Sequence, residues 1–236
     1  MSEYRSAMIK LSGEALKGEN GLYDFDKVNT IAKVIRSIHD TGLKLGIVIG
    51  AGNIWRGRQG PAACMDAVTA DQMGMLGTMI NCLCMADALR RAGLDAVVQS
   101  AVDMDRFAEP CNTMTARRHQ EEGRIVLFAC GTGNPFFSTD SGVILRAVEM
   151  QADVVLMAKN VDGVYTADPL KDPNAKLIKD ITYDEALEKD LKVMDASAFH
   201  LCRDNRVPMV RVFALDDPWN MAKVLAGDDR GTFVHP

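Results

Sequence analysis

Arg124-Ile125-Val126-Leu127-Phe128-Ala129-Cys130 is a strand-length run, apolar after its first residue. Gly131-Thr132-Gly133-Asn134-Pro135 follows it directly, and a helical pattern then extends from Asp140 to Gln151. A strand-length run without polar alternation marks a strand covered on both faces, as in the parallel sheets of α/β proteins. The same event recurs along the chain. Ser6 to Leu11 runs into Ser12-Gly13-Glu14, and Leu43 to Ile49 runs into Gly50-Ala51-Gly52-Asn53. Asp153 to Ala158 runs into Lys159-Asn160, and Val207 to Ala214 ends at Asp216-Asp217-Pro218.

Helical patterns fill the intervals, over residues 26–41, 69–92, 113–122, 140–151, 182–190, 196–205 and 219–226. Strands alternating with helices predict right-handed crossovers and an α/β fold. The expected form is an open, doubly wound, mainly parallel sheet with helices on both faces, in three αβα layers. Ligands of such folds bind at the carboxyl ends of the strands, so the glycine-rich turns are expected to converge on one crevice. No Pro/Ser-rich linker divides the chain, and residues 1–236 are read as one domain. The turn-rich stretch Asp162 to Lys179 is an excursion between strand and helix.

The 236 residues are 47% apolar and 25% charged, within the globular range. With 27 Lys and Arg against 32 Asp and Glu, the net charge of −5 has the wrong sign for a general nucleic-acid binder, so an anion site must be a local pocket. No window approaches the ~18 uninterrupted apolar residues of a membrane span, and Met1 to Lys10 lacks the apolar core of a secretion signal. A cytoplasmic protein is expected. The six cysteines, at 64, 82, 84, 111, 130 and 202, have neither disulfide-framework nor zinc spacing and read as reduced thiols. The four histidines keep no metal-ligand interval, and no metal site is assigned to the protein itself.

Residues 69–92 form an unusual helix, because Met73, Met75, Leu76, Met79, Ile80, Leu83, Met85 and Leu89 cover more than one face. Such a helix is either central to the core or meets another subunit.

Four segments can carry chemistry. Lys10 sits near the end of a buried strand, where a desolvated ammonium is costly unless an anion meets it; the alternative is a stem that snorkels to water. Ser12 and Gly13 after it expose backbone N–H groups to a phosphate. Gly50-Ala51-Gly52-Asn53 lacks the third glycine of a dinucleotide fingerprint and the Gly-Lys-Ser/Thr of a P-loop. What remains is an anion cradle, with Arg56 placed to fork onto phosphate oxygens. Gly131 to Asp140 combines glycines and hydroxyls with Pro135-Phe136-Phe137, a sequence that suits a loop folded against a planar ligand. There, Ser138, Thr139 and Asp140 also suit a helix cap. In Asn160 to Pro169, Tyr165 could stack on a base and Asp168 could accept from a sugar or purine; two successive turns are the plainer reading.

Together, Lys10-Leu11-Ser12-Gly13-Glu14, Gly50-Ala51-Gly52-Asn53 with Arg56-Gly57, Asp71-Gln72-Met73-Gly74, Gly131 to Asp140, Val161 to Pro169 and Lys192-Val193-Met194-Asp195 resemble the bacterial uridylate kinases of the amino acid kinase superfamily. The likeness spans essentially the whole chain. It implies transfer of the terminal phosphoryl of ATP to UMP, with Mg²⁺ accompanying ATP, in pyrimidine nucleotide synthesis. It implies an acceptor half over about residues 1–150 and an ATP half over about 151–236. By the same resemblance, Lys10, Arg56 and Asp140 are catalytic. Lys10, Leu11, Ser12, Gly13, Gly52 and Arg56 serve the donor phosphates, while Lys159, Asn160, Tyr165 and Asp168 hold the rest of ATP. Ala51, Asp71, Thr132, Gly133, Asn134, Pro135, Phe136, Phe137, Ser138 and Thr139 hold UMP. Relatives are hexamers, commonly activated by GTP and inhibited by UTP. Family members often have glycine at the position of Ala51, whose methyl requires a negative φ. Two rivals on the same fold are a carboxylate or carbamate kinase and a non-catalytic nucleotide sensor.

Overall fold

A computed structural model describes residues 4–19, 21–56, 64–167, 169, 171–191 and 194–236. Strands β1 (Ser6–Leu11), β2 (Lys44–Ile49), β5 (Ile125–Ala129), β6 (Val154–Lys159) and β10 (Val210–Ala214) are the five apolar runs. They occupy the middle of a nine-stranded sheet. Six further strands were not anticipated from sequence: β3 (Ala96–Ser100), β4 (Glu109–Pro110), β7 (Val164–Tyr165), β8 (Leu177–Ile178), β9 (Asp180–Thr182) and β11 (Thr232–His235). The order is β4-β3-β5-β2-β1-β6-β10-β11-β9, and only the β10–β11 pairing is antiparallel. Residues 162–179, expected to be turns, contain the small antiparallel ladder of β7 with β8.

Among the described residues seven α-helices link the strands: α1 (Phe25–His39), α2 (Ala67–Arg91), α3 (Thr113–Glu121), α4 (Thr139–Met150), α5 (Tyr183–Glu188), α6 (Ala196–Asp204) and α7 (Asn220–Leu225). Each expected helix is present, with ends shifted by one or two residues. Their starts follow from local chemistry. Asp24 accepts from the N–H groups of Asp26 and Lys27 to open α1, and Ser138 accepts from those of Asp140 and Ser141 to open α4.

Strand alternation sorts the core into two layers. Ala7, Ile9 and Leu11 of β1 pack with α1, α2 and α7, while Met8 and the strands beside it pack with α3, α4, α5 and α6. Helices therefore cover both faces, as the apolar runs required. Lys10 shares the parity of Met8, so it points to the α4 side. In the parallel register Lys10 stands opposite Met157. Lys159, two residues further along β6, projects on that same side.

Helix α2 is half buried. Met79, Cys82, Met85, Ala86 and Leu89 lie in the core, while Met73, Leu76, Ile80 and Leu83 are exposed. Of the two readings of this helix, burial on all sides is the one the structure does not support.

Candidate active site

The carboxyl ends of β1, β2 and β5 open on a cleft of about 530 Å³, within the roughly 300–1,000 Å³ typical of small-ligand sites. The glycine turns of the three strands meet there, as expected. Their closeness explains Gly13: a Cβ at that position would lie 2.4 Å from Asn53 Oδ1, 2.5 Å from the Gly50 carbonyl oxygen and 2.7 Å from the Gly52 nitrogen. Gly133, with φ +78°, likewise lets the third turn approach the carbonyl of Ala101, 2.7 Å from where a Cβ would stand. The φ of Ala51 is negative, so its methyl is tolerated.

At the floor of the cleft one carboxylate holds two ammonium groups. Lys10 Nζ lies 3.3 Å from Asp140 Oδ1, and Lys159 Nζ lies 2.7 Å from Asp140 Oδ2. All three side chains are less than one fifth exposed. Burial lowers the Lys10 pKa more than the adjoining Asp140 carboxylate raises it. For Asp140 itself burial pushes upward, but Lys10 and Lys159 together outweigh it and hold the carboxyl below its ordinary range. Asp140 thus does not cap α4, a task taken by Ser138. Lying in the first turn of α4, it turns its charge onto the two lysines.

The other expected residues separate into groups. Ser12, Gly13, Ala51, Gly52, Arg56, Asp71, Thr132, Asn134, Phe137, Ser138 and Thr139 line the cleft with Lys10 and Asp140. Arg56 reaches Glu14 Oε1 at 2.6 Å across the Gly13 and Gly52 turns. Asp71, near the start of α2, accepts from the Phe136 N–H at 2.7 Å and so ties the 131–137 loop to that helix. Gly133, Pro135 and Phe136 complete that loop without lining the cleft, and the Phe136 ring is exposed. The Leu11 side chain is buried in the core, and its carbonyl accepts from the Gly50 N–H, which ties β1 to the second turn. Asn160 lines a separate cavity with Ser12, Glu14, Asp26 and Asp216, whereas Lys159 points to Asp140. Tyr165 donates to Asp162 Oδ1 at 2.7 Å and lies outside the cleft. Asp168, Gly57, Lys192 and Val193 lie outside the described residues.

Sequence reasoning gave no role to Trp55, Gly74, Thr78, Cys130 and Asp195, which also line the cleft. Trp55 donates through Nε1 to the Ala70 carbonyl at 2.8 Å, beside Asp71. Asp195 stands at the N-terminus of α6 but makes no side-chain capping bond. A larger cavity of about 710 Å³ lies at the amino ends of β1 and β2, away from the glycine turns.

A lysine paired with a bridging carboxylate at the strand ends, ringed by backbone turns, is equipped to bind and polarise phosphoryl groups. Residues 7–212 match the model of the amino acid kinase family. The chain belongs to this family. Among solved structures, this amino acid kinase is similar to the UMP kinase of Bacillus anthracis, with TM-score 0.93 and 36% identity over 98% of this chain and 96% of that one. The UMP kinase of Ureaplasma parvum gives TM-score 0.91 and 36% identity, covering 98% and 99%. The uridylate kinase of Archaeoglobus fulgidus, at 24% identity and TM-score 0.74 over 99% and 100%, shares the fold.

Proposed function

We propose that this amino acid kinase is a UMP kinase, which transfers the terminal phosphoryl of ATP to UMP and yields UDP and ADP for pyrimidine nucleotide synthesis. Two UMP kinases match almost the full length of the chain at 36% identity. The observation that carries the chemistry is the Lys10–Asp140–Lys159 bridge at the point where the three strand-end turns meet.

Donor and acceptor are both anions that must approach in line. Unit charges about 4 Å apart repel by about 4 kcal/mol at an effective dielectric of about 20, and each phosphate carries more than one. Lys10 and Lys159 would offset this charge from the floor, and Arg56 from the rim. The N–H groups of the Gly13 and Gly52 turns would cradle the donor, and those of the 131–137 loop the acceptor. Asp140 fixes both ammonium groups and acts as organiser. The UMP phosphate is ionised near neutral pH, so no general base is required. The base would lie toward Trp55, Asp71 and Phe137, which are apolar and hydrogen-bonding groups of the cleft wall.

Among the described residues no group of three or more His, Cys, Asp or Glu forms a metal cage. Mg²⁺ binds through one or two carboxylates and substrate phosphates. Asp195, with no capping bond, and Asp140 would hold it, and it would neutralise phosphate charge. The exposed face of α2, with Leu76, Ile80 and Leu83, would meet another subunit in a homohexamer. No helix is long and apolar enough to cross a membrane among the described residues. A soluble, cytoplasmic enzyme regulated by GTP and UTP is the reading that the resemblance supports.

A coupled assay for ADP release with UMP, CMP and AMP tests the assignment. UMP is expected to be strongly preferred. Turnover of a small carboxylate or carbamate instead, or none with any acceptor, would replace it with one of the two rivals.

A further inference from the structure

The buried face of α2 is apolar at Met79, Cys82, Met85 and Ala86, yet Asn81 in its midst is 0% exposed. A buried amide is costly unless its bonds are made, and here they are. Asn81 Nδ2 donates to the Gly50 carbonyl at 2.7 Å and to Asn53 Oδ1 at 2.8 Å. Its Oδ1 accepts from the Tyr23 hydroxyl at 2.6 Å and from Asn53 Nδ2 at 3.1 Å. Asn53 uses its other N–H on the Leu22 carbonyl at 3.0 Å. Burial pushes the Tyr23 hydroxyl up to about 12, so it stays a donor at working pH.

We infer that Asn81 is a positioning residue for phosphoryl transfer, holding the Gly50–Asn53 turn against the Gly13 turn through its bonds to the Gly50 carbonyl and the Asn53 amide. The inference rests on the phosphoryl-transfer reading of the cleft. Gly13 leaves no slack between the turns, since even a Cβ there would collide with the Gly50 carbonyl, Asn53 Oδ1 and Gly52 N. The N–H groups of Ala51 and Gly52 are therefore placed by whatever fixes Gly50 and Asn53. On the same rigid helix, Asp71 holds the acceptor loop at Phe136. Asn81 and Asp71 make α2 the common reference for the donor turn and the acceptor loop. A displacement near 1 Å in such an arrangement costs about 10²-fold in rate.

The experiment compares wild type, Asn81→Leu, the double variant Asn53→Leu/Asn81→Leu and Asn81→Asp, by steady-state kinetics with ATP and UMP and by thermal melting. Asn81→Leu is expected to lose roughly 30- to 100-fold in kcat with both KM values within about threefold, because alignment fails while binding persists. The double variant replaces both amides by apolar groups and is expected to recover melting temperature relative to Asn81→Leu. It leaves the Gly50 carbonyl untied, so its kcat should stay low. A double variant whose kcat recovers along with its melting temperature would reduce Asn81 to a stability role and overturn the inference. Asn81→Asp is near-isosteric and keeps the acceptor for Tyr23 but loses the N–H to Gly50, so it answers the question if Asn81→Leu does not fold. Its kcat within threefold of wild type would also overturn the inference. A wild-type enzyme that fails to phosphorylate UMP would instead overturn the proposed function, and the same plate reads that outcome.

Discussion

Replacing Lys10 by alanine, with Lys10→Met as a shape-preserving companion, separates two accounts of this residue. If the ammonium were a solvated strand-end charge, its interaction with a phosphate oxygen about 4 Å away would be worth about 1 kcal/mol, as in bulk water. Its loss would cost roughly fivefold in rate at 1.36 kcal/mol per decade. The Lys10 side chain is only 12% exposed, and Asp140 across from it is 13% exposed. An effective dielectric of about 20 then applies, the interaction rises to about 4 kcal/mol, and the loss becomes ~10³-fold in kcat. Fold stability should move far less. Asp140 keeps its 2.7 Å contact with Lys159, so no buried charge is stranded, and the desolvation cost of Lys10 is removed with its charge. UMP affinity, measured by calorimetry without ATP, should change little. A kcat within tenfold of wild type in both variants, measured at saturating nucleotides, would refute the reasoning, whatever the melting temperature.

Asp140→Asn should alter the response to acid. Lys10 and Lys159 hold the carboxyl below its ordinary range. Its stabilisation is therefore complete above the unfolded aspartate value and is lost as pH falls through the folded one. Melting temperatures of wild type should drop below pH ~4 more steeply than those of the asparagine variant, and parallel curves would contradict this. Asp71→Ala removes the acceptor for the Phe136 N–H and should weaken UMP binding far more than ATP binding; equal losses by calorimetry would remove Asp71 from the acceptor side. Gly13→Ala places a methyl 2.4 Å from Asn53 Oδ1 and 2.5 Å from the Gly50 carbonyl, so a loss of kcat above tenfold is expected on misalignment grounds. Near-normal turnover would mean that the two turns can separate freely.

The central sheet was legible because its five inner strands are covered on both faces and therefore consist of Val, Ile, Leu and Met runs. The strands missed have other reasons to exist. Gln99 and Ser100 end β3 with polar side chains that are buried all the same. Gln99 bonds Glu109 and the Asn112 N–H, and Ser100 bonds the Val102 carbonyl. Those partners lie in the segment that follows, Glu109 in β4 and Asn112 just before α3, so no periodicity signals the strand. β11 is four residues at the chain end, made a strand by antiparallel pairing with β10. In the cleft, turns with glycine and hydroxyl residues were recognisable locally, and so was the anomaly of Lys10. The geometry of Lys159 was not legible, because it depends on the β1–β6 register that sets Lys10 opposite Met157, a relation across about 150 residues.

The chain carries a net charge of −5 and must nevertheless attract two phosphorylated ligands. Among the described residues the cleft answers this by pairing its cations in advance: Lys10 and Lys159 with Asp140, Arg56 with Glu14. Burial lowers the Lys10 pKa, and the adjoining Asp140 carboxylate works against that shift. The carboxylate favours the ammonium form at the cost of some attraction for phosphate, since each incoming oxygen competes with a bond already made. Such competition favours the species with the most negative charge concentrated between the two lysines. On the proposed phosphoryl-transfer reading that is the transition state, where both anions meet at the two lysines, and the pre-paired site would spend its electrostatics on the reaction rather than on ground-state binding.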